Sequence, residues 1–153
     1  MYNKEEAKQL RIDFWNAFAE YSKQLDYLKP QRGRWMMYYT GIKNVVLKFD
    51  VERHVLRVAL ELNHKRELHR LDVYEQLVKY KPIIDEAFGQ GLIWDYVFTT
   101  SSGNEVCRLY VENKTFDFHK REHWNDMFAF MADNMTKLEM AFKDIKDFIV
   151  LPQ

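Results

Sequence analysis

His119-Lys120-Arg121-Glu122-His123 spells H-x-x-E-H. On a helix that spacing sets two imidazoles on one turn, with a glutamate able to activate a metal-bound water. A catalytic zinc also needs a third protein ligand, usually supplied by a second element. Here only Glu139 and a few aspartates follow, all on the same expected helix. The five residues are therefore read as surface side chains at a helix entrance, and no metal is assigned. Cys107 is the sole cysteine, which excludes an intrachain disulfide and a thiolate metal cage. It lies in an apolar strand pattern, where a buried, inert thiol is the usual outcome.

The second set of chemically able residues is acidic: Asp50, Glu52 and Glu61. With the element order α-β-β-β-α-β, the chain resembles the core of restriction-endonuclease-like nucleases. That resemblance implies an acidic residue on the second strand and an acidic-x-Lys on the third, converging on a divalent metal. In this sequence Glu61-Leu62-Asn63 has Asn at the lysine position, and Lys65 comes two positions late. A hairpin turn at Asp50–Arg53 would set Glu61 opposite residues 42–44. Asp50 would then be roughly 20–25 Å away at the rise of a strand. Carboxylates that share a metal must approach within a few ångströms of one ion. A divergent metal-dependent nuclease, with Asp50 and Glu61 as ligands, is the alternative reading rather than the leading one.

The third set is basic. The formal net charge is zero, so no global field draws the protein to nucleic acid or anionic membranes. The charge is unevenly placed, however. Residues 29–70 hold ten Lys and Arg against four Asp and Glu, whereas residues 71–153 hold nine against fourteen. The densest run is His64-Lys65-Arg66-Glu67-Leu68-His69-Arg70, with Arg53, Arg57, Arg32 and Arg34 as candidate neighbours. Such a surface contacts phosphates without reading sequence, or meets an acidic protein partner. Arg53, Arg57, Lys65, Arg66 and Arg70 are the contact residues expected. The bland alternative is a solvated face matched by acids elsewhere in the chain. There is no Gly-rich phosphate loop after a strand and no G-x-S-x-G elbow.

The elements that must position these residues are legible from periodicity. Asn3 with Glu6 makes a capping-box start, followed by Leu10, Phe14, Phe18, Tyr21, Leu25 and Leu28 on one helical face. Lys29-Pro30 ends this helix, because the residue before proline is pushed out of helical geometry. Gln31–Arg34 reads as a turn, 35–40 and 45–49 as strands, and 54–63 as a third strand of clear alternation. A second helix is expected over about 66–88, with a kink or short break at Pro82 and closure at Gly89 and Gly91. Two strands, 92–98 and 105–111, flank the turn-rich 99–104.

The last thirty or so residues form a long amphipathic helix with a heptad seam. Trp124, Phe128, Met131, Met135, Leu138, Phe142, Ile145 and Ile149 recur at steps of four and three. The leading expectation is that this seam packs on the N-terminal helix. A homodimer through the C-terminal helix is the alternative.

The chain resembles a bacterial family, the domain of unknown function 4268. The resemblance is carried by Phe14-Trp15, Gly33-x-Trp35, Arg57-Val58-Ala59-Leu60-Glu61-Leu62 and Gly89-x-Gly91-Leu92-x-Trp94. The closing Trp124-x-x-x-Phe128, Leu138 and Phe142 complete it. It implies an accessory domain, of a kind often joined to modules suspected of nuclease or DNA-related work. It supplies no catalytic residues to carry over.

The sequence thus predicts a single α+β domain over 1–153, in the order α-β-β-β-α-β-β-α. About five mostly antiparallel strands are covered by long helices, with the terminal helices packed together. The composition is globular, 47% apolar and 16% aromatic. No apolar run reaches the ~20 residues of a membrane span, and the charged N-terminus is unlike a secretory signal. A cytoplasmic, non-catalytic interaction domain is expected, with no cofactor and no catalytic residue. Its partner would be nucleic acid or an acidic protein, met through residues 29–70.

Overall fold

The computed structural model describes residues 2–25 and 37–151. The expected end of the first helix at Lys29-Pro30, the Gln31–Arg34 turn and the start of the first strand lie outside them. So do Leu28, Arg32 and Arg34.

Helix α1 spans Lys4–Lys23. Its capping box forms as expected: the Asn3 side chain accepts from the Glu6 N–H at 2.8 Å, and Glu6 accepts from the Asn3 N–H at 3.3 Å. Strands β1 (Met37–Tyr39), β2 (Val45–Val51) and β3 (Leu56–Leu62) follow, then α2 (Glu67–Lys79) and α3 (Lys81–Phe88). The chain continues through β4 (Ile93–Thr99), β5 (Glu105–Asn113) and α4 (Trp124–Lys143). Single 3₁₀ turns at Arg121–His123 and Lys146–Phe148 flank α4, so the long terminal helix is shorter than its seam. The expected second helix is two, split at Tyr80. Pro82 lacks the N–H a continuous helix would need, and it sits in the first turn of α3, where none is needed.

The sheet is antiparallel throughout, in the order β1-β2-β3-β5-β4. Four strands of seven to nine residues carry it. β1 adds only a three-residue edge pairing, where a strand comparable to the others was expected. The β2–β3 register pairs Val46 with Glu61 and Asp50 with Arg57. The hairpin therefore turns at 52–55, two residues later than the alternation suggested.

Period-two alternation gives this sheet two different faces. Leu47, Phe49, Leu56, Val58, Leu60, Leu62, Cys107 and Leu109 join one core with buried residues of all four helices. The seam of α4 is spent there: Met131 and Met135 are fully buried, and Leu138 and Ile145 nearly so. Phe14 of α1 meets Phe128 at 5.1 Å and Trp124 at 5.3 Å between ring centroids, so the terminal helices do pack together. Edge-to-face and tilted ring pairs of this kind add about 0.5–1.5 kcal/mol beyond area burial. The buried members of the seam are accordingly spent within one chain. No helix among the described residues is long and apolar enough to cross a membrane.

Candidate functional site

The other face of the sheet holds the charges. β2 places Lys48 and Asp50 there, β3 places Arg57 and Glu61, and β5 places Arg108 and Glu112. Register sets opposite charges side by side: Asp50 beside Arg57, Arg57 beside Glu112, and Glu61 beside Arg108. Cross-strand pairs of opposite sign stabilise a sheet, and here they merge into one network.

Arg108 is its centre. The guanidinium is 1% exposed, donating from Nη1 to Asp50 at 2.8 Å and from Nε to Glu61 at 2.9 Å. Lys48 lies 3.6 Å from the same Glu61 carboxylate. Arg57 bridges Glu112 and Glu52 at 3.0 Å each and Asp50 at 3.3 Å. Phe98 lays its ring 4.0 Å from the Arg108 guanidinium and 5.2 Å from that of Arg57. Burial pulls the Arg57 pKa down, but its hydrogen bonds to Glu52 and Glu112 and the nearby Asp50 outweigh it and raise it overall.

This geometry corrects the separation expected between Asp50 and Glu61. They lie on two sides of one guanidinium rather than 20 Å or more apart. The late turn brings Glu61 opposite Val46, and the long Arg108 side chain spans what remains. The arrangement also works against the nuclease alternative. The two carboxylates already face a fixed cation, and among the described residues no group of three or more His, Cys, Asp or Glu is placed to hold a metal. The H-x-x-E-H histidines diverge. His123 Nδ1 accepts the Asp117 N–H at 3.0 Å, whereas His119 packs edge-on against Phe118 and Tyr2.

Beside the network opens a cavity of about 1050 Å³. Its floor is Lys48, Asp50, Glu61 and Arg108. One wall is the β3–α2 corner, with Asn63, His64, Lys65, Glu67 and Arg70, and the other is the β4–β5 turn, with Thr100, Ser101, Ser102, Gly103 and Asn104. That turn is fixed by the Thr100 N–H to the Asn104 carbonyl at 2.8 Å and by Gly103 at φ 91°, a conformation that favours glycine. The lining is polar on every side, unlike the apolar pockets of most small-molecule sites.

The β3–α2 corner contains the unusual groups. α2 begins at Arg66 with no side-chain cap, leaving its first N–H groups without the usual acceptor. Arg70 is 6% exposed and donates from Nη1 to the His64 carbonyl at 2.9 Å, but its Nε has no partner. His64 is also 6% exposed, with neither ring nitrogen hydrogen-bonded. Each such orphan costs about 1–3 kcal/mol, which an apolar filling would avoid. Burial, with His69 and Arg70 nearby, holds the His64 pKa below its ordinary value. Cys107, on the far side of Arg70, is pushed up to about 11 by burial, so it is an inert thiol at neutral pH.

A pH prediction follows from His64. Above about pH 6.5 the ring is neutral in folded and unfolded chains alike. Below it the unfolded chain takes the proton first, so stability falls as pH drops from that value toward the lower folded one. Urea midpoints between pH 7.5 and 5 should decline less steeply in His64→Gln. An unchanged slope would show that the buried ring does not contribute. His119, also held low by burial and Arg53, leaves part of the slope in place.

The five basic residues expected as contacts end in different settings. Lys65 and Arg66 are exposed, with no acidic partner among the described residues. Arg70 stands behind them in the cavity wall. Arg53 is exposed and lies 3.6 Å from Asp117. Arg57 belongs to the ionic network. The sequence reading did not single out Arg108, His64 as an orphan, or the 100–104 turn. The available signal for Arg108 was a lone arginine within the apolar strand Val106–Val111.

The family model of a domain of unknown function, DUF4268, matches residues 10–146. The chain belongs to this family. The match runs from within α1 to the start of the 3₁₀ turn after α4, so it takes in both the charged sheet face and the cavity. No curated protein and no solved structure matches the chain.

Proposed function

We propose that this DUF4268 domain is a non-catalytic interaction module that contacts nucleic acid at the β3–α2 corner. The observation that carries the reading is the state of Lys65 and Arg66. They are adjacent cations without acidic partners among the described residues, set at an uncapped helix start, and Lys65 lines the polar cavity beside it. Backbone N–H groups and the helix dipole at such a start favour a negative group. Arg70 adds a third positive charge from within the wall, and Thr100, Ser101 and Ser102 line the same cavity. Arg53, in the β2–β3 turn at the opposite end of β3 and 3.6 Å from Asp117, lies outside this corner, and Arg57 serves the ionic network.

The clamped carboxylates support a binding role over a hydrolytic one. Asp50 and Glu61 act as counter-ions to Arg108.

Titrating labelled duplex and single-stranded DNA across a salt series tests the reading. Affinity should fall steeply as salt rises. Lys65→Glu with Arg66→Glu should weaken binding at least tenfold and flatten the salt dependence by roughly two phosphate contacts, with an unchanged thermal melt. Binding that is salt-independent, or unaffected by the double reversal, would sink the proposal.

A further inference from the structure

The shape of this corner goes beyond a surface that tracks a phosphate backbone. Lys65 and Arg66 suit such tracking, since both are exposed. His64 and Arg70 do not, since each is only 6% exposed. A phosphate in the middle of a strand stays on the protein surface, tied at both sides to the next sugar. A strand end, tied on one side only, enters such a recess without the chain having to bend on both sides of it. Resting on the nucleic-acid reading above, we propose that the recess beside His64 and Arg70 receives the terminal phosphate of a nucleic-acid strand.

The donors match that group better than an internal phosphodiester. Among the described residues Arg70 Nε–H is an obligate donor with no acceptor. It is sealed from solvent in the free chain, so a ligand reaches it only when the side chains over it move, while the neighbouring Nη1 is held by the His64 carbonyl. His64 offers at least one further N–H, and neither of its ring nitrogens has a partner. The uncapped start of α2 contributes backbone N–H groups at the same wall. Lys65 closes the rim with a mobile ammonium. These donors come from several directions. A terminal phosphate answers them with three free oxygens and a charge between about −1.5 and −2 near neutral pH. An internal phosphodiester has two free oxygens and one charge.

Glu67 is the one acid at this wall, 3.9 Å from Arg70 Nη2. Its side chain is two-thirds exposed and leaves for solvent when the phosphate arrives. The acids on the floor are held by Arg108 and Lys48, so they do not oppose the ligand with full charge, and Glu105, in the opposite wall, is exposed and screened by solvent. Among the described residues no Phe, Tyr or Trp lines the cavity, and the His64 ring is buried in its wall, so the site offers no open platform for stacking a base. Recognition is of the end, not of the sequence.

The deciding experiment uses the whole chain and one short labelled single strand in three forms: 5′-phosphate, 3′-phosphate, and hydroxyl at both ends. Fluorescence anisotropy should show one phosphorylated form binding at least tenfold more tightly than the hydroxyl form. That advantage should disappear in Lys65→Glu and in His64→Gln, two changes chosen because the first is exposed and the second keeps a polar side chain. Thermal melts of both variants establish that they fold. Equal binding by the three strands overturns the end-recognition proposal and leaves the interaction reading standing. An advantage that survives both substitutions places the phosphate elsewhere and also overturns it. If none of the strands binds, both readings fall together.

Discussion

Arg108→Ala should destabilise the protein by about 3–5 kcal/mol, the range seen when one partner of a buried ion pair is removed. For a chain of this length that is a fall in melting temperature of roughly 10 °C or more. The guanidinium is 1% exposed and neutralises two carboxylates that are themselves 19% and 7% exposed. Truncation would leave Glu61 with only Lys48, at 3.6 Å, and would strip Phe98 of its closest cation. Asp50 would retain Arg57, so most of the loss should come from Glu61. Adding Glu61→Gln to Arg108→Ala should therefore recover part of the stability, because the uncompensated charge is gone. A single-variant loss under about 1 kcal/mol would mean that water screens the network as it does a surface pair. No recovery in the double variant would mean that the cost is packing rather than charge.

The sequence carried the core better than the site for a definable reason. Burial on one face writes itself into periodicity. Leu56, Val58, Leu60 and Leu62 had to alternate because each second residue enters the core, and Trp124 to Ile145 had to recur at helical spacing for the same cause. Pro82 likewise fixed where a long helical pattern had to break. β1 was overestimated, since Trp35-Met36-Met37-Tyr38-Tyr39 has strong strand propensity along its length. Propensity alone does not say how many residues find a partner, and among those described only Met37–Tyr39 pair.

The charged face was less legible because it depends on register between strands far apart in sequence. Asp50, Glu61 and Arg108 are brought together by β2, β3 and β5, and no spacing along the chain encodes that meeting. A hairpin turn misplaced by two residues was enough to separate Asp50 from Glu61 by most of a strand's length. The same limit applied to the basic cluster. Its composition was visible, but not that Arg57 would be enclosed by three carboxylates while Lys65 and Arg66 found no acidic partner among the described residues. His64 looked like one more member of that run. Only its burial, with both ring nitrogens unbonded, distinguishes it.

Leu138→Asp should leave the protein unfolded at neutral pH. Leu138 lies in the α4 seam at 1% exposure, among other buried members of the core. Truncating a buried leucine costs about 2–5 kcal/mol through lost transfer energy and cavity formation. A carboxyl group in that position adds a second cost, because desolvation raises a buried acid's pKa by up to about 3–5 units. At about 1.4 kcal/mol per unit, the two terms together reach the whole stability of a typical domain, about 5–15 kcal/mol. Met140→Asp, two residues on, is the matched control. Met140 is 61% exposed on the other side of α4, and the change should stay within about 0.5 kcal/mol. Circular dichroism and size exclusion of the two variants separate the outcomes. Loss of secondary structure in Leu138→Asp alone confirms a core internal to one chain. A folded Leu138→Asp variant that elutes at a smaller size than the parent would instead restore the C-terminal helix as a contact between copies.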